Sequence, residues 1–283
     1  ATATDAAAKV NVPVVAVLPF ESVGTAGGDA LSFGIAEAVL HQLANLREVN
    51  VIARTSSFSY TTPRGDVKQI GRDLGANYLV EGSVQHDRGR LRVTAQLIDT
   101  ATGAHVWSMQ FDEARDDVFK VQDTIATQVA RAMQLSLDAP ATDRVTGQGT
   151  TNFDAYLAYL QGQEVLRGRR LSDGGRAIES FRAAVALDPS FAPAWVALAE
   201  AEVFVAEYDA RQGRPERFLA AIDRAEGHVA RALEFDPDLG AAYIERGHLQ
   251  AFSDLGAAAE SYRRGIELAP NDARGHAGLA AVL

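Results

Sequence analysis

Two groups of side chains in this 283-residue chain have the types and spacing to hold something. The first is Arg54-Thr55-Ser56-Ser57, directly after an apolar stretch that reads as a strand. With Glu81 from a later strand, it offers a guanidinium, hydroxyls and a carboxylate to a small ligand at a strand end of a mixed sheet. A solvated loop with one surface arginine would carry the same residues. The second group is a stripe on two expected helices, Val196, Glu200 and Val203 on one and Ile244, His248 and Ala251 on the other. Three- and four-residue spacing puts each triple on one helix face. Apolar members would give a bound peptide its affinity, and Glu200 and His248 would orient it. Equally, Ile244 could contact the next helix pair and His248 could be merely exposed.

Other chemistries find little support. There is no cysteine, which removes disulfides, thiolate nucleophiles and cysteine-ligated zinc. His86 and His105 fall in different strands without metal-ligand spacing, so no metal is assigned. Gly24, Gly27 and Gly28 precede neither a phosphate-loop Lys-Ser/Thr pair nor a dinucleotide pattern, and no cofactor is expected. Asp29, Glu37, Ser83 and Arg92 are further polar residues near strand ends, but no serine elbow or carboxylate pair marks a catalytic centre. We therefore assign no catalytic residue and read the chain as a non-enzyme.

The elements that would position these residues come in two styles. Val12–Phe20 is a continuous apolar run, the pattern of a strand buried on both faces. A Gly-rich turn leads to a helix capped by Asp29, with Leu31, Ile35, Val39, Leu43 and Leu46 at helical spacing. Val49–Ala53 is the second strand, and the polar stretch beginning ARTSSFSYTT reads as loop. A short helix from Asp66 to Leu74 ends at Gly75. Ala76–Phe111 alternates at period two through turns at Asp87-Arg88-Gly89 and Asp99–Gly103, giving three antiparallel strands. A helix over Asp117–Leu137 carries Val118, Val121, Ile125, Val129 and Met133 towards the sheet. The order β-α-β-α-β-β-β-α predicts an α+β mixed-sheet domain over 1–137, and 138–152 reads as a linker.

From 153 to 283 the pattern is helical and repeats. Three similar endings, AIESFRAAVALDPS, AIDRAEGHVARALEFDPD and AAAESYRRGIELAPN, place Pro189, Pro237 and Pro270 at related positions. These endings resemble tetratricopeptide repeats. Ala177, Phe181 and Ala184 stand before Pro189; Trp195, Leu198, Ala225 and Ala232 stand around the second ending; Tyr243, Gly247, Ala258 and Tyr262 stand before Pro270. The resemblance implies an all-α superhelix of about three repeats plus a partial fourth over 272–283, and it is the resemblance that implies a concave, partner-binding side for the first-helix positions Val196, Glu200, Val203, Ile244, His248 and Ala251. Its departures are extra residues at Arg167–Gly174, Val229 where an aromatic is usual, and about 14 extra residues that put Val203–Phe218 in longer helices or in a loop.

The first domain resembles the amino-terminal domain family of TolB-like proteins. The motifs are VAVLPFES, GIAEAVLHQL, VNVIARTSSF, IGRDLGANYLVEGSV, GRLRVTAQLIDTATGAHVW and VFKVQDTIATQVA. Such domains accompany tetratricopeptide repeats in class III adenylate cyclases and in CadC/ToxR-type transcriptional regulators. Phe33-Gly34 stands where family members often have Asp-Gly. The resemblance implies a regulatory or scaffold module joined to an output domain, with a protein or peptide as partner and a small-molecule signal as an added input.

Charge bears on partners. The formal net charge is −10, with 17 acidic and 13 basic residues over 1–150 and the remaining 20 and 14 beyond. A field of this sign repels a phosphate backbone, so direct nucleic-acid binding is not expected. No run reaches transmembrane length, so membrane attachment would need a segment outside this sequence. The expected setting is the periplasmic or extracytoplasmic part of an inner-membrane protein, with the cytoplasm as alternative. An envelope assembly or secretion scaffold and an enzyme with an unfamiliar site are the alternative functions.

Overall fold

The computed structural model describes residues 12–24, 28–44, 46, 48–60, 65–87, 89–133, 149–167, 173–270 and 272–283. The chain separates into two compact units, Ala1–Gly147 and Gln148–Leu283.

The first unit is built on a mixed sheet. Strand β1 (Val14–Val17) pairs in parallel with β3 (Asn50–Val51) on one side and with β4 (Tyr78–Asp87) on the other. Strands β5 (Arg90–Asp99) and β6 (His105–Ala114) complete the antiparallel meander, giving the order β3-β1-β4-β5-β6. Val15, Ala16, Val17 and Leu18 are each 0% exposed, as expected for a strand covered on both faces. A two-residue strand β2 (Glu21–Ser22), absent from the sequence expectation, pairs in parallel with β4. Its brevity leaves no periodicity to detect.

Helix α1 (Gly28–Ala44) and helix α4 (Val118–Ala132) pack on each other and cover one face of the sheet. The α1 positions Leu31, Ile35, Val39 and Leu43 are buried, and so are Val118, Val121, Ile125, Val129 and Met133. Asp29 lies inside the first turn of α1 rather than capping it, because the helix begins at Gly28. On the other face, Ile70 of α3 (Val67–Leu74) packs with Ala16, Leu18 and Leu79. Asp66 caps α3 by accepting the Lys68 N–H, and Gly75 ends it in the left-handed region at φ 64°.

Two boundaries differ from expectation. The second strand shrinks to Asn50–Val51, and the expected loop opens with a helical turn, α2 (Arg54–Ser57). Ser56 and Ser57 both donate backbone N–H groups to Ala53 O, so local bonds compete with extension of the strand. Residues 134–137 of the expected last helix, and 138–148 of the expected linker, lie outside the described residues. Residues 149–152 belong to the second unit. Asn152 Oδ1 accepts the backbone N–H groups of Asp154 and Ala155, and its Nδ2 donates to Leu187 O at 3.1 Å.

Among its described residues the second unit is helical throughout. Its elements are α5 (Phe153–Arg167), α6 (Gly174–Leu187), α7 (Ala192–Arg211), α8 (Pro215–Phe235), α9 (Gly240–Gln250), α10 (Leu255–Leu268) and α11 (Ala273–Val282). Successive helices pair, α5 with α6, α7 with α8 and α9 with α10. Val203–Phe218 therefore belongs to longer helices, α7 at 20 and α8 at 21 residues, turned at Gly213 with φ 85°.

A repeated hydrogen bond shows the units to be equivalent. Trp195 Nε1 donates to Pro189 O at 2.9 Å, Tyr243 Oη to Pro237 O at 3.0 Å, and His276 Nε2 to Pro270 O at 2.9 Å. Each ties the start of a first helix to the turn before it, six residues back. Inside each pair, a large residue of the second helix meets a small one of the first. A methyl group added at Gly162 would meet the Phe181 ring at 2.6 Å, and one at Gly247 the Tyr262 ring at 2.8 Å. In the middle pair Ala199 and Val229 occupy the equivalent places and share one core cluster. Val229 is smaller than an aromatic because Ala199 is larger than glycine.

Candidate functional site

The strand-end group proves to be largely occupied by its own fold. Arg54 places Nε 3.3 Å from Glu37 Oε1 of α1, and its guanidinium lies over the Phe58 ring at 6.0 Å. Ser57 is 0% exposed, with its hydroxyl 3.4 Å from Ile52 O. It cannot reach a ligand, which corrects its expected role: the helical turn carries it inward. Ser56 is exposed, and its carbonyl accepts the Ser59 hydroxyl at 2.7 Å. The structure thus gathers Arg54, Ser56 and Ser57 in one turn, with Glu81 on β4 outside it. Among the described residues, no group of three or more His, Asp or Glu side chains is placed to hold a metal ion.

The helical stripe divides by chemistry. Val196, Val203 and Ile244 are buried, at 3%, 9% and 0% exposure. Val196 and Val203 pack with Ala225 and Val229 of α8 and with Ala242 and Leu249 of α9. Ile244 packs with Ala258 and Tyr262 of α10. These three are core and cannot line a groove: the spacing that marks one face of a helix does not say which face meets its neighbours. Glu200, His248 and Ala251 remain partly exposed.

Glu200 and His248 stand at equivalent positions, each 11 residues beyond the turn proline of its repeat. They meet three residues that the sequence reading did not select. Arg274, in the first turn of α11, bonds Glu200 Oε1 of α7 through Nη1, and Asp272 Oδ2 through Nη2 at 2.8 Å. On α9, between them in the repeat order, His248 Nδ1 lies 3.2 Å from Glu245 Oε2. The His248 ring also meets the Tyr262 ring edge-on at 5.4 Å. The first helices α7, α9 and α11 thereby share one charged face.

Electrostatics follow from burial and pairing. Burial pushes the Glu200 carboxyl above its ordinary value against the pull of the Arg274 charge. Burial would also raise Asp272, but its bonds from Arg274 hold it below the ordinary carboxylate value. Burial opposes the charge on Arg274, yet Asp272 and Glu200 together raise its pKa and keep it protonated. The Tyr262 phenol is pushed up to about 12 by burial and by the Glu245 charge. Three carboxylates, Glu200, Glu245 and Asp272, thus stand on this face with one arginine and one histidine. Asp272 caps α11 by accepting the backbone N–H of Arg274, and nothing in the sequence links it to Glu200.

A second charged cluster lies among α6, α7 and α8. Glu202, with a side chain only 2% exposed, accepts from Arg182 Nη2 at 2.6 Å and from Arg224 Nε at 2.8 Å. His228 Nε2 is 3.8 Å from Glu202 Oε2, and its ring stacks on Trp195 at 5.5 Å. Two turns along α7, Asp209 binds Arg214 at 2.5 Å and Arg217 at 3.0 Å.

No protein-family model matches the chain. "Putative adenylate cyclase 3" of Rhizobium meliloti (strain 1021) is 30% identical over 187 residues, 66% of this chain and 32% of that protein. The chain therefore spans about a third of the length of this curated relative. Among solved structures, the Arabidopsis OM64 TPR domain aligns with a TM-score of 0.36 at 17% identity, covering 45% of this chain and 93% of that one. TolB from Acinetobacter baumannii aligns at 0.34 and 13% identity, covering 43% and 28%. The LpoB C-terminal domain from Salmonella enterica aligns at 0.29 and 16% identity, covering 36% and 83%.

Proposed function

We propose that this chain is a non-catalytic regulatory module of a longer signalling protein, and that its helical repeats hold a segment of a partner protein. The observation that carries the reading is the Arg274–Glu200 ion pair, which joins the first helices of non-adjacent repeats across 74 residues of chain. It makes α7, α9 and α11 one continuous face with polar groups at regular positions, the form a helix or extended peptide can follow. The excess of carboxylates on that face favours a segment carrying Lys or Arg beside apolar side chains. The relationship to a cyclase-named protein about twice as long supports a place within a larger polypeptide. The repeated turn-proline hydrogen bonds support the tetratricopeptide reading of the repeats.

The test is fluorescence anisotropy against a panel of amphipathic peptides that differ only in charge. The reading expects cationic members to bind, anionic ones not to, and binding to weaken in Glu200→Gln and His248→Ala. If no cationic peptide binds, or binding is indifferent to both substitutions, the groove is not a partner site.

A further inference from the structure

The cluster around Glu202 and Asp209 has a property that fold support alone does not require. Four guanidinium groups, from Arg182, Arg214, Arg217 and Arg224, surround two carboxylates. The cluster carries an excess of two positive charges within a chain of net charge −10. Glu202 and Asp209 are seven residues apart on α7, so two turns place them on the same face, and both are largely buried, at 2% and 17% side-chain exposure. They act as fixed anchors. Each holds arginines from neighbouring elements by their tips, and so removes rotamer freedom that a ligand would otherwise have to restrict.

The anchored arginines border a cleft of about 220 Å³. Arg182 enters from α6 and Arg217 and Arg224 from α8, Glu202 and Asp209 of α7 lie in the lining between them, and the apolar wall includes Ile178 and Val205. A guanidinium has five N–H groups. Among the described residues, Arg182, Arg217 and Arg224 each give one to a carboxylate. Their other N–H groups remain for an acceptor. The three side chains are 59%, 57% and 52% exposed, so an anion from solvent can reach them.

We propose that this cleft binds a phosphoryl group, as a small phosphate ester or free phosphate, between Arg182, Arg217 and Arg224. Three arginines against the Glu202 and Asp209 carboxylates leave the cleft lining with an excess of positive charge that favours an anion, and phosphate oxygens match the paired donors of a guanidinium. The volume is below the usual range of drug-sized sites and suits a phosphoryl group with a small organic portion. Binding would link α6 to α8 across α7. This proposal is independent of the partner groove and stands or falls separately.

Calorimetric titration of the full chain with ribose 5-phosphate and with inorganic phosphate, at constant ionic strength, tests it. One saturable site is expected, with a dissociation constant of roughly 0.1–1 mM. The ester binds more tightly if the apolar wall is used, and equal affinities assign the site to free phosphate. Arg217→Gln should weaken binding at least tenfold, while Arg264→Gln, in an arginine paired elsewhere with Glu267, should not. Phosphate should also raise the melting temperature of the wild type and not of Arg217→Gln. If Arg217→Gln does not keep the wild-type melting curve in phosphate-free buffer, Arg217→Lys replaces it with the same expectation, since lysine keeps the charge and loses the fork. Absence of saturation, an equal response to chloride, or equal losses in the Arg217 and Arg264 variants would overturn the assignment.

Discussion

Arg274 bonds the carboxylate of Glu200 from 74 residues away, so the last described helix is fastened to the first helix of the second repeat as well as to its neighbours. Both side chains keep solvent contact, at 47% and 26% exposure. The pair should therefore add little to global stability, under about 1 kcal/mol. Its effect should be local. Arg274→Ala and Glu200→Ala should each raise hydrogen exchange over 275–283 while leaving exchange in α5 and α6 unchanged. A Glu200 substitution that left α11 protection intact would show the ion pair to be unimportant to that end of the stack.

Glu202 and its two arginines should respond asymmetrically to substitution. The carboxylate is buried and both guanidinium groups are more than half exposed. Glu202→Gln frees two solvated cations and should cost only about 1 kcal/mol, the scale of lost hydrogen bonds. Arg182→Gln with Arg224→Gln leaves a buried carboxylate uncompensated and should cost roughly 3 kcal/mol. Urea unfolding followed by Trp195 fluorescence in a Trp107→Phe background would separate the two. Equal losses would mean that packing, not charge, sets the effect.

The same cluster gives the second unit an acid sensitivity in two steps. Burial lowers the His228 pKa below 6.5, outweighing the Glu202 carboxylate; Arg182 and Arg224 push it the same way. As pH falls below 6.5, the unfolded chain takes up a proton that the folded imidazole refuses, so stability is lost. Glu202 differs in cause and agrees in direction. Burial would raise its pKa, but hydrogen bonds from Arg224 and Arg182 hold it below 4.5. Its contribution is present above 4.5 and is lost as pH falls through the folded value. Melting temperature of the second unit should thus fall first below 6.5 and again below 4.5. His228→Gln should remove the first step and Glu202→Gln should blunt the second.

What the sequence made legible depended on whether a signal was local. The period-two pattern of Ala76–Phe111 located the meander, and Val118–Met133 named the buried stripe of α4 correctly. Endings before Pro189, Pro237 and Pro270 located the helix pairs. Orientation was not legible. Val196, Val203 and Ile244 lie on an apolar stripe that faces other helices, while Glu200 on the same helix as Val196 reaches the surface. Ser57 reads as a loop hydroxyl in the sequence because four helical residues leave no periodic trace. Arg274 carries no local signal, because its partner Glu200 is fixed by the stacking of the helices and not by any sequence spacing.

The packing of Gly247 against Tyr262 can be tested by borrowing the solution found in the middle repeat. A methyl group at Gly247 would come within 2.8 Å of the Tyr262 ring, on a helix whose neighbours are buried and leave it little room to move. Gly247→Ala alone should therefore destabilise the second unit by about 1–3 kcal/mol through overpacking, although alanine is the better helix former. The equivalent places of the middle repeat hold Ala199 and Val229, which pack in one buried cluster. Tyr262→Val alone should also destabilise, because it empties space beside Gly247 and Gly278, where the tyrosine ring now fits. Together, the methyl group occupies part of the volume that the ring vacates. The double variant should be more stable than the sum of the single losses predicts, by about 1 kcal/mol or more in a double-mutant cycle. Strict additivity in urea unfolding would mean that the two positions relax independently and that the small-large pairing is not what closes each repeat.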